Sequence, residues 1–261
     1  GLGLMFGVRM PLNFFSPYKA TSPVDFWRRW NMTLMRFLRD YVYIPLGGSR
    51  HGEVRKYLCA FTVMIVCGVW HGAGWNYIVW GAMVGSILAI NNLILRTQLG
   101  QNPPGPRWWR TLSGRALTFV CYVGPLTIFM FPHLKQGFAV LGSMFGGDLL
   151  LPLSLKPALG ALAPKLKALG IGFGQMPAYA GSEMLMWVGA GLLVLYFAPN
   201  SEQLFARYRP TLRMLPKEIL KAERPWARWK PSPAWAVALA AVVTISLMFM
   251  HRVHEFFYFQ F

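Results

Sequence analysis

Residues 57–95 read YLCAFTVMIVCGVWHGAGWNYIVWGAMVGSILAINNLIL, an unbroken run without Asp, Glu, Lys or Arg. A hydrocarbon core takes roughly 20 apolar residues per helical crossing. The run therefore predicts two crossings joined by a tight turn. Gly72 and Gly74 place the break, giving one helix over 57–69 and a second over 75–95. His71 is the only side chain in the run that titrates near neutral pH. A histidine in such surroundings loses hydration and persists where it faces a protein interior or a watery cavity. Two readings stay open at this point: a histidine that bridges two helices, and one that does chemistry.

The rest of the chain agrees with a membrane protein. Of its 261 residues 55% are hydrophobic and only 13% charged, against roughly 25% charged in a soluble domain. Further apolar runs predict crossings over 114–132, with a kink at Pro125, and over 183–198 and 233–250. The fold class expected is all-α: a polytopic membrane protein of about five transmembrane segments with an interfacial amphipathic helix. The net charge of +17 sits mostly between the apolar runs. Residues 1–56 carry nine Lys or Arg, 96–113 three and 199–232 eight, while 133–182 carry four and the tail after Met250 one. By the positive-inside rule the first three segments are cytoplasmic. Their partner is then anionic membrane lipid rather than nucleic acid. The expected location is a bacterial inner (plasma) membrane, crossed several times.

Val24–Leu46, VDFWRRWNMTLMRFLRDYVYIPL, sorts at 100° per residue into two arcs. Asp25, Arg28, Arg29, Arg36, Arg39, Asp40 and Tyr43 form one. Phe26, Trp27, Trp30, Leu34, Phe37, Leu38 and Tyr41 form the other. This predicts one basic amphipathic helix at the interface, capped by Ser22 or Thr21 and ended by Pro45. Asn31 projects close to the apolar arc. A buried amide without partners costs about 1–3 kcal/mol, so Asn31 is expected to have a partner or a function. Gly47, Gly48 and Gly52 predict a turn, but not the GxxxxGK[ST] phosphate loop. Residues 1–24 read as irregular, 96–113 as a loop, and 133–182 as a long segment with a short helix around Phe138–Phe145. Cys59, Cys67 and Cys121 form no CxxC pair and read as packing residues. His251 and His254 have one carboxylate nearby, Glu255, so no metal site is expected. Nor does a GxSxG nucleophile motif occur. The start, GLGLMFGVRM, reads as the end of a helix already under way, so the chain is expected to be the C-terminal part of a longer protein.

Two stretches, FWRRWNMTLMRFLRDYVYIPLGG (Phe26 to Gly48) and VWHGAGWNYIVWG (Val69 to Gly81), closely resemble the membrane-bound O-acyltransferase superfamily. The resemblance is to its bacterial branch of alginate O-acetylation and D-alanine transfer. SPYKATS, APNSEQ (Ala198 to Gln203) and the ending FFYFQF add to it. The resemblance implies a single helical membrane domain over 1–261 enclosing a tunnel, with 24–46 as the amphipathic helix and 57–95 as the catalytic hairpin. His71 matches the histidine of the WHG motif, taken as catalytic in the family. Asn31 matches the second signature position, where alginate-type members usually carry His and other branches Asn or Asp.

Acyl transfer to a hydroxyl needs a base for the hydroxyl proton, a donor to the oxyanion, and exclusion of water. His71 can be the base, and Asn31 can donate its amide to the oxyanion or orient the imidazole. Trp70, Trp75 and Trp80 are candidates to line the tunnel. Arg36, Arg39 and Asp40, with Trp70 and Asn76, form the candidate substrate- and donor-binding set. The expected function is transfer of an acetyl group from cytoplasmic acetyl-CoA toward hydroxyls of an exported, alginate-like polysaccharide. No bound cofactor is expected, and the resemblance implies a periplasmic acetyltransferase partner. The alternatives are D-alanyl or other acyl transfer in the cell envelope, or a non-catalytic transporter. A transporter should show paired intramembrane charges or inverted repeats, and the sequence has neither.

Overall fold

The structure, a computed structural model, describes residues 2–97, 106–146, 149–175, 182–208, 211–212 and 229–249. The aromatic tail with His251, His254 and Glu255 lies outside the described residues, as does most of the basic segment 199–232. The helices in chain order are α1 (Leu2–Met5), α2 (Pro23–Arg29), α3 (Met32–Leu38), α4 (Gly52–His71), α5 (Trp75–Ile94), α6 (Arg107–Met130), α7 (Leu134–Gly146), α8 (Lys156–Leu159), α9 (Leu162–Ala168), α10 (Ser182–Phe197), α11 (Ser201–Leu204) and α12 (Pro233–Phe249). Two short strands, β1 (Leu150–Pro152) and β2 (Gly172–Gly174), pair in parallel.

The chain divides into two compact units. Residues 16–198 hold α2 to α10. Residues 1–15 and 199–261 hold α1, α11 and α12. In this second unit Asn200 and Gln203 cap α11 reciprocally, each side chain taking the other's backbone N–H at 2.8 and 2.9 Å. Buried Glu202 accepts a hydrogen bond from Thr211 Oγ1 at 2.9 Å and lines a cavity of about 260 Å³.

α4 and α5 form the hairpin that the apolar run predicts. α4 starts five residues earlier than expected, at Gly52, because the charged Glu53, Arg55 and Lys56 fit its exposed first turns. The two helices touch backbone to backbone along glycines. A Cβ on Gly81 would lie 3.0 Å from the carbonyl carbon of Met64, and one on Gly68 the same distance from that of Tyr77. Small residues allow this approach, and Gly81 and Gly85 form a GxxxG pair. The sheltered face carries Met64, Cys67, Trp80 and Val84, which pack with Leu38 of α3.

The base of the hairpin is a charged clasp. Glu53 pairs with Arg96 just beyond α5 and, at 3.7 Å, with Lys56. The Arg96 guanidinium holds the Glu53 carboxyl below its ordinary value of 4.5. A depressed folded value means the clasp stabilises above that ordinary value and is lost as pH falls through the lower, folded one. The pair is exposed, so the effect is small. Melting curves of wild type and Glu53→Gln should therefore differ slightly at neutral pH and converge toward acid, measured in detergent.

Residues 23–46 do not form one helix. Trp30 and Asn31 interrupt it: Asn31 is left-handed, with φ 39° and ψ 53°, and a π-helical turn over Arg39–Tyr43 follows α3. Ser22 caps α2, its hydroxyl accepting from Asp25 N at 3.2 Å. Both ends of this segment lie near the hairpin base. Val24 N donates to Asn91 Oδ1 at 3.4 Å, and the Leu46 carbonyl accepts from Arg55 Nε and Nη2 and from Cys59 Sγ at 3.1–3.4 Å. Its middle climbs to Trp80, where Trp27 packs edge-on at 5.9 Å. The segment therefore rises along α5, turns at Asn31 and returns along α4. Phe37 and Tyr41, placed on the apolar arc by the helical wheel, are 55% and 70% exposed, because the break at Asn31 resets the phase.

α6 begins at Arg107, within the expected loop, with Pro106 as its N-cap. α5 and α6 are long and apolar enough to cross a membrane, whereas α10 and α12 are shorter apolar helices. The described residues thus show fewer full-length crossings than the five expected.

Candidate active site

His71 ends α4 and Trp75 opens α5, so three residues turn the chain. A Cβ on Gly72 would lie 2.6 Å from Tyr77 Cε2, and glycine is what lets the ring close over the turn. The turn gathers four aromatic rings around the imidazole. Centroid distances are 4.7 Å to Trp70, 6.4 Å to Tyr77, 5.4 Å to Trp80 and 4.9 Å to Phe129. Trp80 and Phe129 meet the imidazole at 88° and 90°, the edge-to-face arrangement that aromatic quadrupoles favour. Tyr77 and Trp80 are buried, while Trp70 and His71 remain exposed. The imidazole is thus held by rings and keeps an open side.

Asn76 fixes one of those rings. Its side chain is 4% exposed, and Nδ2 donates to the Phe129 carbonyl at 3.0 Å. That carbonyl is among the last four of α6, which have no partner within their own helix. One amide thus satisfies an orphan acceptor and sets Phe129 against His71. The structure gives Asn76 this tie between α5 and α6. Asn76→Ala strands the carbonyl, at a cost of about 1–3 kcal/mol. The expected result is a lower melting temperature with α4 and α5 still inserted, checked by thermal unfolding in detergent.

Asn31 stands at the summit of the re-entrant segment. Left-handed backbone is costly for most residues and tolerated best by Gly, Asn and Asp, which gives an asparagine here a backbone reason. Its side chain makes no cap hydrogen bond. Trp27 and Leu34, on either side of it, pack against the buried cluster that includes Trp80. Asn31 therefore lies on the same flank as the ring cage, although no hydrogen bond joins it to His71 among the described residues.

Arg39 Nε and Asp40 Oδ1 pair at 2.8 Å, both exposed. Hydrogen bonding to Arg39, with added attraction from Arg36, holds the Asp40 carboxyl below its usual range. These residues lie on the returning limb, toward Leu46 and the hairpin base, so the structure does not gather them with His71. Trp75 is 73% exposed and outside the cage. Tyr77 and Phe129 were missed by sequence reasoning. Tyr77 carried a signal, following WHGAGWN by one residue, whereas Phe129 meets His71 only through the packing of α6. No group of three or more His, Cys, Asp or Glu that could hold a metal occurs among the described residues.

Residues 2–131 match the model of the MBOAT, membrane-bound O-acyltransferase family. The chain is 50% identical over 91 residues to a peptidoglycan O-acetyltransferase of Helicobacter pylori, covering 35% of this chain and 17% of that protein. It is 42% identical over 151 residues to a probable alginate O-acetylase AlgI of Pseudomonas putida, covering 57% and 29%. A teichoic acid D-alanyltransferase of Streptococcus thermophilus is 28% identical over 131 residues, covering 44% and 32%. The chain thus spans less than a third of the length of these relatives.

Proposed function

Since this chain belongs to the membrane-bound O-acyltransferase family, and so to the integral membrane proteins, we propose that it carries the acyl-transfer centre of an enzyme that O-acetylates an exported glycan. The observation that carries the reading is His71 at a helix end, ringed by aromatics and open on one side. In the proposed reaction the neutral imidazole takes the proton of an acceptor hydroxyl. The freed oxygen attacks the acetyl carbonyl, a C–O bond forms, and the C–S bond to the thiol of coenzyme A breaks. The proton passes from the imidazolium to the departing thiolate. The rings keep water from competing for the acetyl group, and in this reading the Asn31 amide serves as the donor to the oxyanion.

The relatives' named activities favour a cell-envelope glycan as acceptor, with alginate-like polymers and peptidoglycan foremost. The proposed setting is a bacterial inner membrane crossed several times. The basic hairpin base then faces the cytoplasm and anionic lipid, and a periplasmic acetyltransferase completes delivery. The D-alanyltransferase likeness supports a second reading, in which the acyl group is D-alanyl. Ester-bound acetate and D-alanine should be measured on exported glycans of the source cell with and without the full-length protein. Loss of acetate supports the first reading and loss of D-alanine the second. If neither changes, both fail.

A further inference from the structure

Tyr77 is 9% exposed, and a tyrosine buried this far usually gives its hydroxyl to a partner in the fold. Tyr77 makes no such hydrogen bond among the described residues. The polar side-chain atoms enclosed there without a partner are Tyr57 Oη, Arg115 Nε and Trp229 Nε1. Tyr77 Oη is not one of them, so it is reachable. The ring is packed, and the oxygen at its end opens on free space.

The packing decides where that oxygen stands. Tyr77 is the third residue of α5, and its ring folds back over the turn from α4. A Cβ on Gly72 would lie 2.6 Å from Cε2, 3.1 Å from Cδ2 and 3.5 Å from Cζ of that ring. The ring edge that ends at the hydroxyl-bearing Cζ therefore lies over the residue that follows His71. The phenol and the imidazole stand 6.4 Å apart between centroids, with planes only 30° from parallel. Phe129 meets both, at 4.9 Å and 90° to the imidazole and at 5.0 Å and 66° to the phenol. One phenyl ring thus sets the spacing of the two polar rings. The Asn76 amide, bonded to the Phe129 carbonyl at 3.0 Å, holds that phenyl ring in place.

Attack on an acyl carbonyl turns its oxygen into an oxyanion, which needs donors already fixed beside the base. A phenol supplies one O–H donor. We propose that the Tyr77 hydroxyl donates to the carbonyl oxygen of the acyl group, as a second oxyanion donor with the Asn31 amide. This rests on His71 as the base of acyl transfer and adds a catalytic group to it. As the C–O bond to the acceptor forms, the carbonyl electron pair moves onto that oxygen, and the hydrogen bond from Tyr77 strengthens. The pair returns as the C–S bond to the leaving thiol breaks. The phenol keeps its proton throughout, and the proton in transit stays with the imidazole.

Tyr77→Phe tests this, because it removes the hydroxyl and keeps a ring over Gly72 and against Phe129. Full-length wild type, Y77F, Tyr77→Leu and His71→Phe are produced at matched membrane content in the source cell stripped of its own copy. The entry of labelled acetate and labelled D-alanine into ester linkage on exported glycan is timed, and each protein is melted in detergent. Loss of one oxyanion donor costs about 10²–10³-fold, so Y77F should transfer slower by that factor at the wild-type melting temperature. A ring that serves packing alone predicts Y77F as fast as wild type and only Tyr77→Leu slow. A Y77F rate within about tenfold of wild type, less than an oxyanion donor contributes, or a loss that follows a lowered melting temperature, overturns the proposal. His71→Phe tells that failure from failure of the acyl-transfer reading itself. Slow H71F with fast Y77F removes Tyr77 alone, whereas fast H71F removes the base and with it the ground for a donor beside it.

Discussion

Replacing His71 with alanine is expected to abolish acyl transfer while leaving the protein inserted and abundant. General-base catalysis contributes about 10²–10⁴-fold, so residual activity should fall by at least that range. The imidazole is exposed and, among the described residues, makes ring contacts and no hydrogen bond. Stability should therefore change little. His71→Phe sharpens the test, because a phenyl ring keeps the edge-to-face packing against Trp80 and Phe129 but has no nitrogen to take a proton. Both variants should lose ester acetate on the exported glycan, and both should match wild type in membrane content. Full acetylation in H71F would mean that the histidine serves packing alone.

The largest structural effect is expected at Gly81. A Cβ there runs into the Met64 carbonyl oxygen and comes within 3.1 Å of the Ile65 Cα. These are backbone atoms of α4, which no rotamer change can move aside. Overpacking costs about 1–3 kcal/mol, and more where the obstacle is rigid. Gly81→Val should therefore fail to yield folded protein, and Gly81→Ala should melt well below wild type. Gly142 supplies the contrast within the same chain. It sits inside α7 with nothing near its missing Cβ, and Gly→Ala in an open helix gains up to about 1 kcal/mol. Thermal unfolding in detergent that showed Gly81→Ala and Gly142→Ala to be alike would disprove a backbone seam between α4 and α5.

The sequence made the hairpin legible because its signal is local. A charge-free run, two glycines and a histidine determine where α4 ends and α5 begins, and α5 starts at Trp75 as expected. Ser22 as a cap and the helix around Phe138–Phe145 were legible for the same reason. The segment 24–46 was misread because a helical wheel assumes 100° for every residue. One left-handed residue at Asn31 and one π-helical turn at Arg39–Tyr43 break that assumption twice. The strand pair β1–β2 and the placing of Phe129 depend on contacts between distant parts of the chain, and no run of neighbours announces them. Asn76 belongs to the candidate substrate-binding set, and its amide also caps the end of α6.

The hairpin also measures a distance. Eighteen residues of unbroken helix separate Glu53 in the clasp from His71 at the turn, which is about 27 Å at 1.5 Å per residue. A hydrocarbon core is roughly 30 Å thick. With the basic base toward the cytoplasm, as proposed, the imidazole stands almost a full leaflet pair away from the compartment that makes the donor. An acyl group presented from that side must be threaded nearly the whole depth of the film before it meets the base. An acceptor arriving from the far side need hardly enter. On that proposed orientation, the length of α4 gives the donor the long journey and the glycan the short one.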